Sequence, residues 1–340
     1  MGPGPVRSTT TNGNQTGHHR HVEADSALPP SSVSPSRQAW FIVNPVAGGL
    51  PSRAKLHDAI AVAAARFGFE PRVEYTTAPG HATQLAAEAE AAGAAFCIVV
   101  GGDGTLNEAL NGIDTTDITM GLIPAGTANV WAKEAGIPKS PERALQVQFT
   151  AEALLVDVGR AGDRRFLLMA SYGLDAAAVR LVGGRAKRWF GVFAYVVAGF
   201  RVGFRYPGFQ LRITFDDAVP EVVDSTMIVV GNTRWYGSAA RITSEASAVD
   251  AELDCVIFRR QGVWAALRMI PRVFRGRHLQ SSGILFRRAR RIQLNETDAL
   301  PPMQVDGDPA DPSAGEIRVE PGAVRIFVPN AAQPVFQPRN

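Results

Sequence analysis

Residues 101–108 read Gly-Gly-Asp-Gly-Thr-Leu-Asn-Glu and directly follow the apolar run Phe96-Cys97-Ile98-Val99-Val100. A buried strand that stops at two glycines and then opens a helix is a place where backbone comes close to something, because glycine has no Cβ to hold a ligand away. The first turn of the new helix presents unpaired N–H groups and the positive end of the helix dipole, which suits a phosphate. Asp103 adds a carboxylate where a magnesium ion or a substrate hydroxyl meets that phosphate. The chemistry implied is the handling of a phosphate chain.

Two further loops have the same character. Asn44-Pro45-Val46-Ala47-Gly48-Gly49 follows the apolar segment Trp40 to Val43, and Gly126-Thr127-Ala128-Asn129 comes shortly after the segment Thr119 to Ile123. In open α/β sheets the ligand crevice lies at the carboxyl ends of the strands. Each loop offers small residues, backbone N–H groups and a polar side chain: Asn44, Asn107 or Thr127. One such loop is easily a plain βα turn; three on one edge predict a nucleotide cradle. There is no G-x-x-x-x-G-K-S/T loop and no G-x-G-x-x-G after a strand, which excludes the P-loop NTPases and the common dinucleotide enzymes.

The elements that must position these loops alternate. Strands are expected at Trp40–Val43, Arg72–Thr76, Phe96–Val100 and Thr119–Ile123, with helices from Ser52 to Gly68, from His81 to Ala92, after each of the two later loops and from Ser140-Pro141-Glu142 onward. Alternation of this kind predicts a parallel sheet covered by helices. After about residue 150 the rhythm changes to short strands separated by turns, among them Ala153–Arg160, Phe166–Ser171, Gln210–Phe215, Thr226–Gly231, Leu253–Arg259, Glu316–Glu320 and Val324–Val328. That predicts a mostly antiparallel sandwich, interrupted by a helical stretch at Gly191–Phe204.

Composition bounds the reading. A chain of 340 residues suggests two domains or one large one, and a net charge of +3 is too small to imply nucleic acid as a partner. Cys97 and Cys255 both sit in apolar runs and read as core residues of a reducing compartment. Met1 to Gln38, rich in Gly, Pro, Ser, Thr, Asn and His, reads as a disordered tail without the apolar region of a signal peptide. Trp189 to Phe204 is too short for a membrane span and is broken by Arg201. The expected location is therefore cytoplasmic, with peripheral attachment to the inner face of the membrane.

The order and spacing of Asn44-Pro45, Gly-Gly-Asp-Gly-Thr-Leu-Asn-Glu and Gly126-Thr127-Ala128-Asn129 resemble the catalytic domain of diacylglycerol kinases, a family that includes sphingosine and ceramide kinases and the bacterial lipid kinases. The resemblance runs over nearly all of Ala39 to Asn330. It implies an N-terminal α/β domain related to phosphofructokinase and NAD kinase at residues 39–148, and a mostly antiparallel β-sandwich C-terminal domain at residues 149–322. A strand at 323–330 would return to the first domain. ATP would lie in the cleft, held by Asn44, Pro45, Val46, Ala47, Gly48, Thr76, Gly101, Gly102, Asp103, Gly104, Thr105, Leu106, Asn107 and Thr127. Thr76 is placed by the pattern Thr-x-x-x-Gly, here Thr76 to Gly80.

Met303-Gln304-Val305-Asp306-Gly307-Asp308 looks like the family's C-terminal Asp-Gly-Glu segment, which makes Asp306 the expected proton acceptor. On its own an Asp-Gly pair reads as a hairpin turn. Asp308 stands where the family has Glu, and Val130 follows Asn129 where many bacterial relatives carry Asp. Asp103 would then bear more of the magnesium environment, with capping of the following helix as its plainer role. Glu108 reads either as an anchor of the glycine loop or as a solvated helix residue. The family's structural magnesium turn matches Ser247 to Asp254, with Asp250 giving a side-chain oxygen and Ser247 and Glu252 giving carbonyls, although Ala251 replaces a glycine there.

The implied cofactors are ATP and Mg2+, and the implied acceptor is a lipid hydroxyl, that of diacylglycerol first. Arg180, Arg185, Lys187 and Arg188 ahead of Trp189-Phe190 could meet an anionic membrane surface. So could Arg259, Arg260, Arg268, Arg272, Arg275 and Arg277 among Trp264, Leu267, Ile270, Val273 and Phe274. Solvated arginines on a packed helix are the plainer alternative. Competing activities are a sphingoid, ceramide or other lipid kinase, an NAD kinase, which shares Gly-Gly-Asp-Gly, and an inactive nucleotide- or lipid-binding module. The oligomeric state is open, a homodimer included.

Overall fold

Strand β1 (Arg37–Val43) is buried from Ala39 to Val43 without interruption, as expected of a strand covered on both faces. It lies between β2 (Phe69–Tyr75) and β3 (Phe96–Gly101), and β4 (Thr119–Pro124) pairs with β3; all of these pairings are parallel. The computed structural model describes residues 37–181, 208–237, 240–260, 263–296, 300–331 and 333–338, together with Met1, Gly2 and Gly4. Strand β1 begins at Arg37, so Arg37 and Gln38 of the stretch expected as a tail are in a strand; nearly all the rest of Met1–Gln38 lies outside the described residues, as do Gly191–Phe204 and Arg185 to Phe190.

Helices α1 (Arg53–Phe67), α2 (His81–Ala91), α3 (Asp103–Leu110), α4 (Val130–Ala135) and α5 (Pro141–Phe149) connect or follow these strands. The Ser52 hydroxyl caps α1 by accepting the Lys55 N–H at 3.3 Å, and Gly68 ends it at φ 67°. At α5 Ser140 makes no side-chain cap: its hydroxyl donates to Glu142.

The remaining strands are β5 (Ala153–Ala161), β6 (Arg164–Phe166), β7 (Met169–Gly173), β8 (Phe209–Phe215), β9 (Glu221–Gly231), β10 (Leu253–Arg259), β11 (Ile284–Ala289), β12 (Arg291–Glu296), β13 (Met303–Val305), β14 (Asp308–Ala310) and β15 (Glu316–Phe327). Helix α6 (Leu174–Leu181) follows β7 and α7 (Val263–Phe274) follows β10. Pairings among these strands are antiparallel. Two expected strand boundaries change. Phe166–Ser171 is split at Leu167-Leu168, and Glu316–Glu320 with Val324–Val328 form one strand, β15, whose pairing with β5 shifts register between Glu320 and Val324.

Strand β15 ties the molecule together. It pairs with β12 and β5, and beyond the shift Arg325 and Ile326 pair in parallel with Thr119 and Met120 of β4. Phe327 packs against Phe96 and Phe149 at 5.7 and 5.3 Å between ring centroids. A second core of Phe166, Tyr172, Leu211, Ile213, Ile228 and their neighbours fills the sandwich. A third, smaller core packs Met269 of α7 among Met169, Val229, Ile242, Val256 and Ile284. Cys97 and Cys255 are both buried and unbridged. Among the described residues no helix is long and apolar enough to cross a membrane.

Candidate active site

The three loops interlock at the carboxyl edge of the parallel strands. The Asn44 N–H extends the ladder to the Val100 carbonyl at 2.9 Å, while its side-chain amide donates to Thr105 Oγ1 at 2.9 Å. The Gly49 N–H donates to the Ala125 carbonyl at 2.8 Å, and the Ala125 N–H donates to the Gly101 carbonyl at 2.7 Å. The Thr76 N–H donates to the Val43 carbonyl at 2.9 Å, which brings Thr76 beside the first loop. Gly102 and Gly126 pack backbone on backbone: a Cβ on Gly126 would lie 2.5 Å from Gly102 Cα, and one on Gly102 would lie 3.0 Å from Gly126 Cα. Only glycine permits that approach. Asn129, at φ 48°, closes the third loop by accepting the Gly126 N–H at 2.9 Å and donating to the Gly126 carbonyl at 2.8 Å. Thr127 stands exposed at its tip.

Asp103 does more than begin α3. Its Oδ2 accepts the Val130 N–H at 3.0 Å and its Oδ1 the Trp131 N–H at 3.1 Å. The carboxylate therefore caps α4, across the edge, and not the helix that contains it. Burial raises its carboxyl above the usual range, against the pull of those two N–H groups. Helix α4 is fastened at its other end as well. Glu134, fully buried, accepts the N–H groups of Arg234 and Trp235 at 2.8 and 3.1 Å and the Arg234 guanidinium at 3.0 Å. Arg234 also reaches Gln333 Oε1 at 2.8 Å.

Asp306 comes to the same place from the sandwich side. Asp306 and Gly307, at φ 48° and 86°, form the two-residue turn that joins β13 to β14. The hairpin reading of this Asp-Gly pair is thus met, and the same turn carries the Asp306 carboxylate to the glycine loop. Gln304 supports the turn by accepting the Gly307 N–H at 2.7 Å. Asp306 Oδ1 accepts the N–H groups of Leu168 and Met169 at 3.0 and 2.8 Å; Oδ2 accepts the Leu167 N–H at 2.9 Å and the Asn107 amide at 2.8 Å. These backbone groups lie at the break between β6 and β7, which explains why the expected strand there is interrupted. Burial pushes the Asp306 carboxyl up to about 6 against its N–H donors, and the Asp103 charge adds to the rise.

Several residues that sequence reasoning passed over make long-range bonds, some of them at the site. Arg164 Nη2 donates to Asn107 Oδ1 at 3.3 Å and to Asp308 Oδ2 at 3.2 Å. Asn111 donates to the Arg165 carbonyl at 3.1 Å and accepts the Arg165 N–H at 2.8 Å, pinning the β5–β6 hairpin to α3. An arginine in a hairpin carries no motif, so only the fold reveals its position. Asp157 carried a readable signal, an acid inside the apolar strand Leu154-Leu155-Val156-Asp157-Val158. It accepts the Gly322 N–H at 2.8 Å and the Ala251 N–H at 2.7 Å.

A magnesium ion takes one or two open carboxylates beside phosphate oxygens and water. Of the carboxylates here, Asp103 is spent on α4 and Asp308 Oδ2 is paired with Arg164, which leaves little open oxygen for a direct ligand. Bonds hold the Ser247–Asp254 turn at two points, with Asp250 Oδ2 buried and outside them. Asp250 Oδ1 accepts the Glu252 N–H at 3.1 Å, and the Ser247 hydroxyl donates to the Gln337 carbonyl at 2.9 Å. Ala251 takes the left-handed conformation, φ 60°, that a glycine would take without strain.

Comparison with known proteins agrees with this architecture. A diacylglycerol kinase catalytic domain matches residues 38–161, and a YegS C-terminal NAD kinase beta sandwich-like domain matches residues 169–328. A diacylglycerol kinase of Mycobacterium tuberculosis (strain ATCC 25618 / H37Rv) is 32% identical over 300 residues, covering 85% of this chain and 94% of that protein. A protein of Chromohalobacter salexigens named as a YegS-like lipid kinase is 28% identical over 300 residues, with 86% and 94% covered. The solved structure of a diacylglycerol kinase from Bacillus anthracis str. Sterne shares the fold, with a TM-score of 0.65 at 20% identity and 87% and 98% of the two chains covered. With both halves matched in order, and a relative 32% identical along 94% of its length, this chain belongs to the diacylglycerol kinase family of lipid-kinase phosphotransferases.

Proposed function

We propose that the protein transfers the γ-phosphoryl group of ATP to the hydroxyl of diacylglycerol, giving phosphatidic acid. The observation that carries this reading is the 2.8 Å hydrogen bond from Asn107 to Asp306, which makes the glycine loop and the acceptor carboxylate parts of one unit. Residues 39–148, with the strand at 323–330, would hold the nucleotide on Asn44 to Gly48, Thr76, Gly101 to Asn107 and Thr127. Residues 149–322 would present the lipid.

In this reaction the lipid oxygen forms a bond to the γ-phosphorus as the bond to the bridging oxygen of ADP breaks. The hydroxyl proton passes to Asp306. A carboxylate whose pKa lies near 6 is ionised at neutral pH yet basic enough to accept that proton late in the transfer. Positioning and charge neutralisation supply most of the acceleration. Magnesium, which favours phosphate oxygens and retains water, would be carried by the nucleotide.

The same proposal includes docking on an anionic membrane surface. Arg259, Arg260, Arg268, Arg272, Arg275 and Arg277 are exposed, and among the described residues none of them forms an ion pair. Phe274 is 50% exposed beside them, while Met269 on the opposite side of α7 packs against Met169, whose N–H binds Asp306. The test is a transfer assay with labelled ATP and a panel of diacylglycerol, sphingoid base, ceramide and NAD. Labelled phosphatidic acid is the expected product. Phosphorylation of NAD alone, or ATP binding with no acceptor phosphorylated, overturns the reading.

A further inference from the structure

We propose that Arg164 is the cation that faces the phosphoryl group in transit, and that Asp308 serves as its holder, not as a magnesium ligand. The inference rests on the kinase reading above and concerns which group of this chain neutralises the charge of the transfer.

Three observations converge on one spot. The Asn107 amide donates to Asp306 at 2.8 Å through Nδ2 and accepts from Arg164 at 3.3 Å through Oδ1, so one side chain spaces the base from the guanidinium. Asp308 fixes the guanidinium from the other side at 3.2 Å. The glycine loop closes the third side: a Cβ on Gly104 would lie 3.9 Å from Asp308 Oδ2. Asp306, Arg164 and Gly104 are thus linked in a row through Asn107 and Asp308, beside the loop on which a terminal phosphate would rest to meet the acceptor hydroxyl.

The chemistry of the groups fits that place. A guanidinium carries five N–H donors, and both contacts with Asn107 and Asp308 are made by one nitrogen, Nη2. The side chain is 32% exposed and so remains accessible to a ligand. During the transfer, charge spreads over the three equatorial oxygens of the phosphoryl group, and a fixed guanidinium stabilises that distribution. Arg is suited to this by its planar, permanently charged fork. The pairing also decides the role of Asp308. A divalent ion on Asp308 would stand against the Arg164 charge at close range, which disfavours it there.

The test uses the full-length protein with Arg164→Gln, Arg164→Lys and Asp308→Asn. Wild-type turnover on the lipid panel tests the kinase reading by itself. The Arg164 assignment is read separately, by calorimetric titration of ADP and of a non-hydrolysable ATP analogue, which needs no acceptor. Arg164→Gln is expected to bind ADP within threefold of wild type and to lose the extra affinity that the terminal phosphate confers, with a fall in kcat of about 10²–10³-fold where an acceptor turns over. Arg164→Lys, which keeps the charge without the fork, falls between the two. Asp308→Asn is expected to lower kcat while leaving the half-saturating magnesium concentration within threefold. A Gln variant that retains the terminal-phosphate affinity, or an Asp308→Asn variant whose magnesium requirement rises tenfold, overturns the proposal. Melting curves of all three variants confirm that folded proteins are compared.

Discussion

Asn107 and Asp306 stand 199 positions apart in the chain and meet through a 2.8 Å hydrogen bond. Asn107 also donates to the Arg165 carbonyl at 2.9 Å, so its amide is held from two directions and Asp306 is held with it. Asn107→Asp places a second negative charge against Asp306, which disfavours ionisation of the pair. The expected result is an acid limb of the kcat/KM profile displaced upward by at least about 1 pH unit. An undisplaced limb would show that Asp306 does not titrate in the reaction.

As the proposed base, Asp306 would set that limb. A base must be ionised, so activity is full above its pKa and declines as pH falls through about 6. Asp306→Asn is expected to lose about 10²–10⁴-fold in kcat, with ATP affinity kept within a few-fold and the acid limb gone. Initial rates between pH 5 and 8 check both points.

The contact between Gly102 and Gly126 leaves no room for a methyl group. Gly126→Ala would bring Cβ to 2.5 Å from Gly102 Cα and 2.8 Å from Asn129 Oδ1, so the loops must part. The expected outcome is a rise in KM for ATP of about tenfold or more, from the sensitivity of positioned sites to small displacements. KM for the lipid should move little.

Glu134 and Arg234 form a buried pair whose loss leaves a charge without its partner. Glu134→Ala is expected to cost about 3–5 kcal/mol in urea denaturation. Because α4 carries the N–H groups that hold Asp103, the same variant should also weaken ATP binding. An unchanged urea midpoint would refute the assignment.

The Ala251 turn makes a prediction of the opposite sign. Ala251→Gly relieves a left-handed alanine and is expected to stabilise the protein by about 1 kcal/mol. Since Asp250 and Asp157 already brace this turn by hydrogen bonds, EDTA should shift the melting temperature by no more than about 1 °C. A larger drop on chelation would mean that an ion holds Ser247, Asp250 and Glu252 together.

The parts of the fold that were legible are those written locally. The strand that stops at Gly101-Gly102 and the helix that opens after Ser52 and closes at Gly68 each depend on neighbours within a few residues. The Asp306-Gly307 turn was legible as a hairpin for the same reason, while its place in the cleft depends on Leu167 to Met169, far away in the chain. Asp103 shows the limit well. Its position at the start of α3 suggested a local cap, but its carboxylate is used by α4, and only the packing of Gly102 on Gly126 brings the two helices within reach. Arg164, Glu134 and Arg234 act wholly through distant partners and leave no periodic trace.

Strand β15 has a mechanical consequence. Its first half is laced to β12 and β5 and its last residues to β5 and β4, so a swing of the sandwich away from the parallel sheet must work against pairing on both sides of the register shift. Each turnover must therefore be accommodated on a stiff frame, with ATP and lipid admitted and discharged by local yielding of side chains and loop tips at the rim.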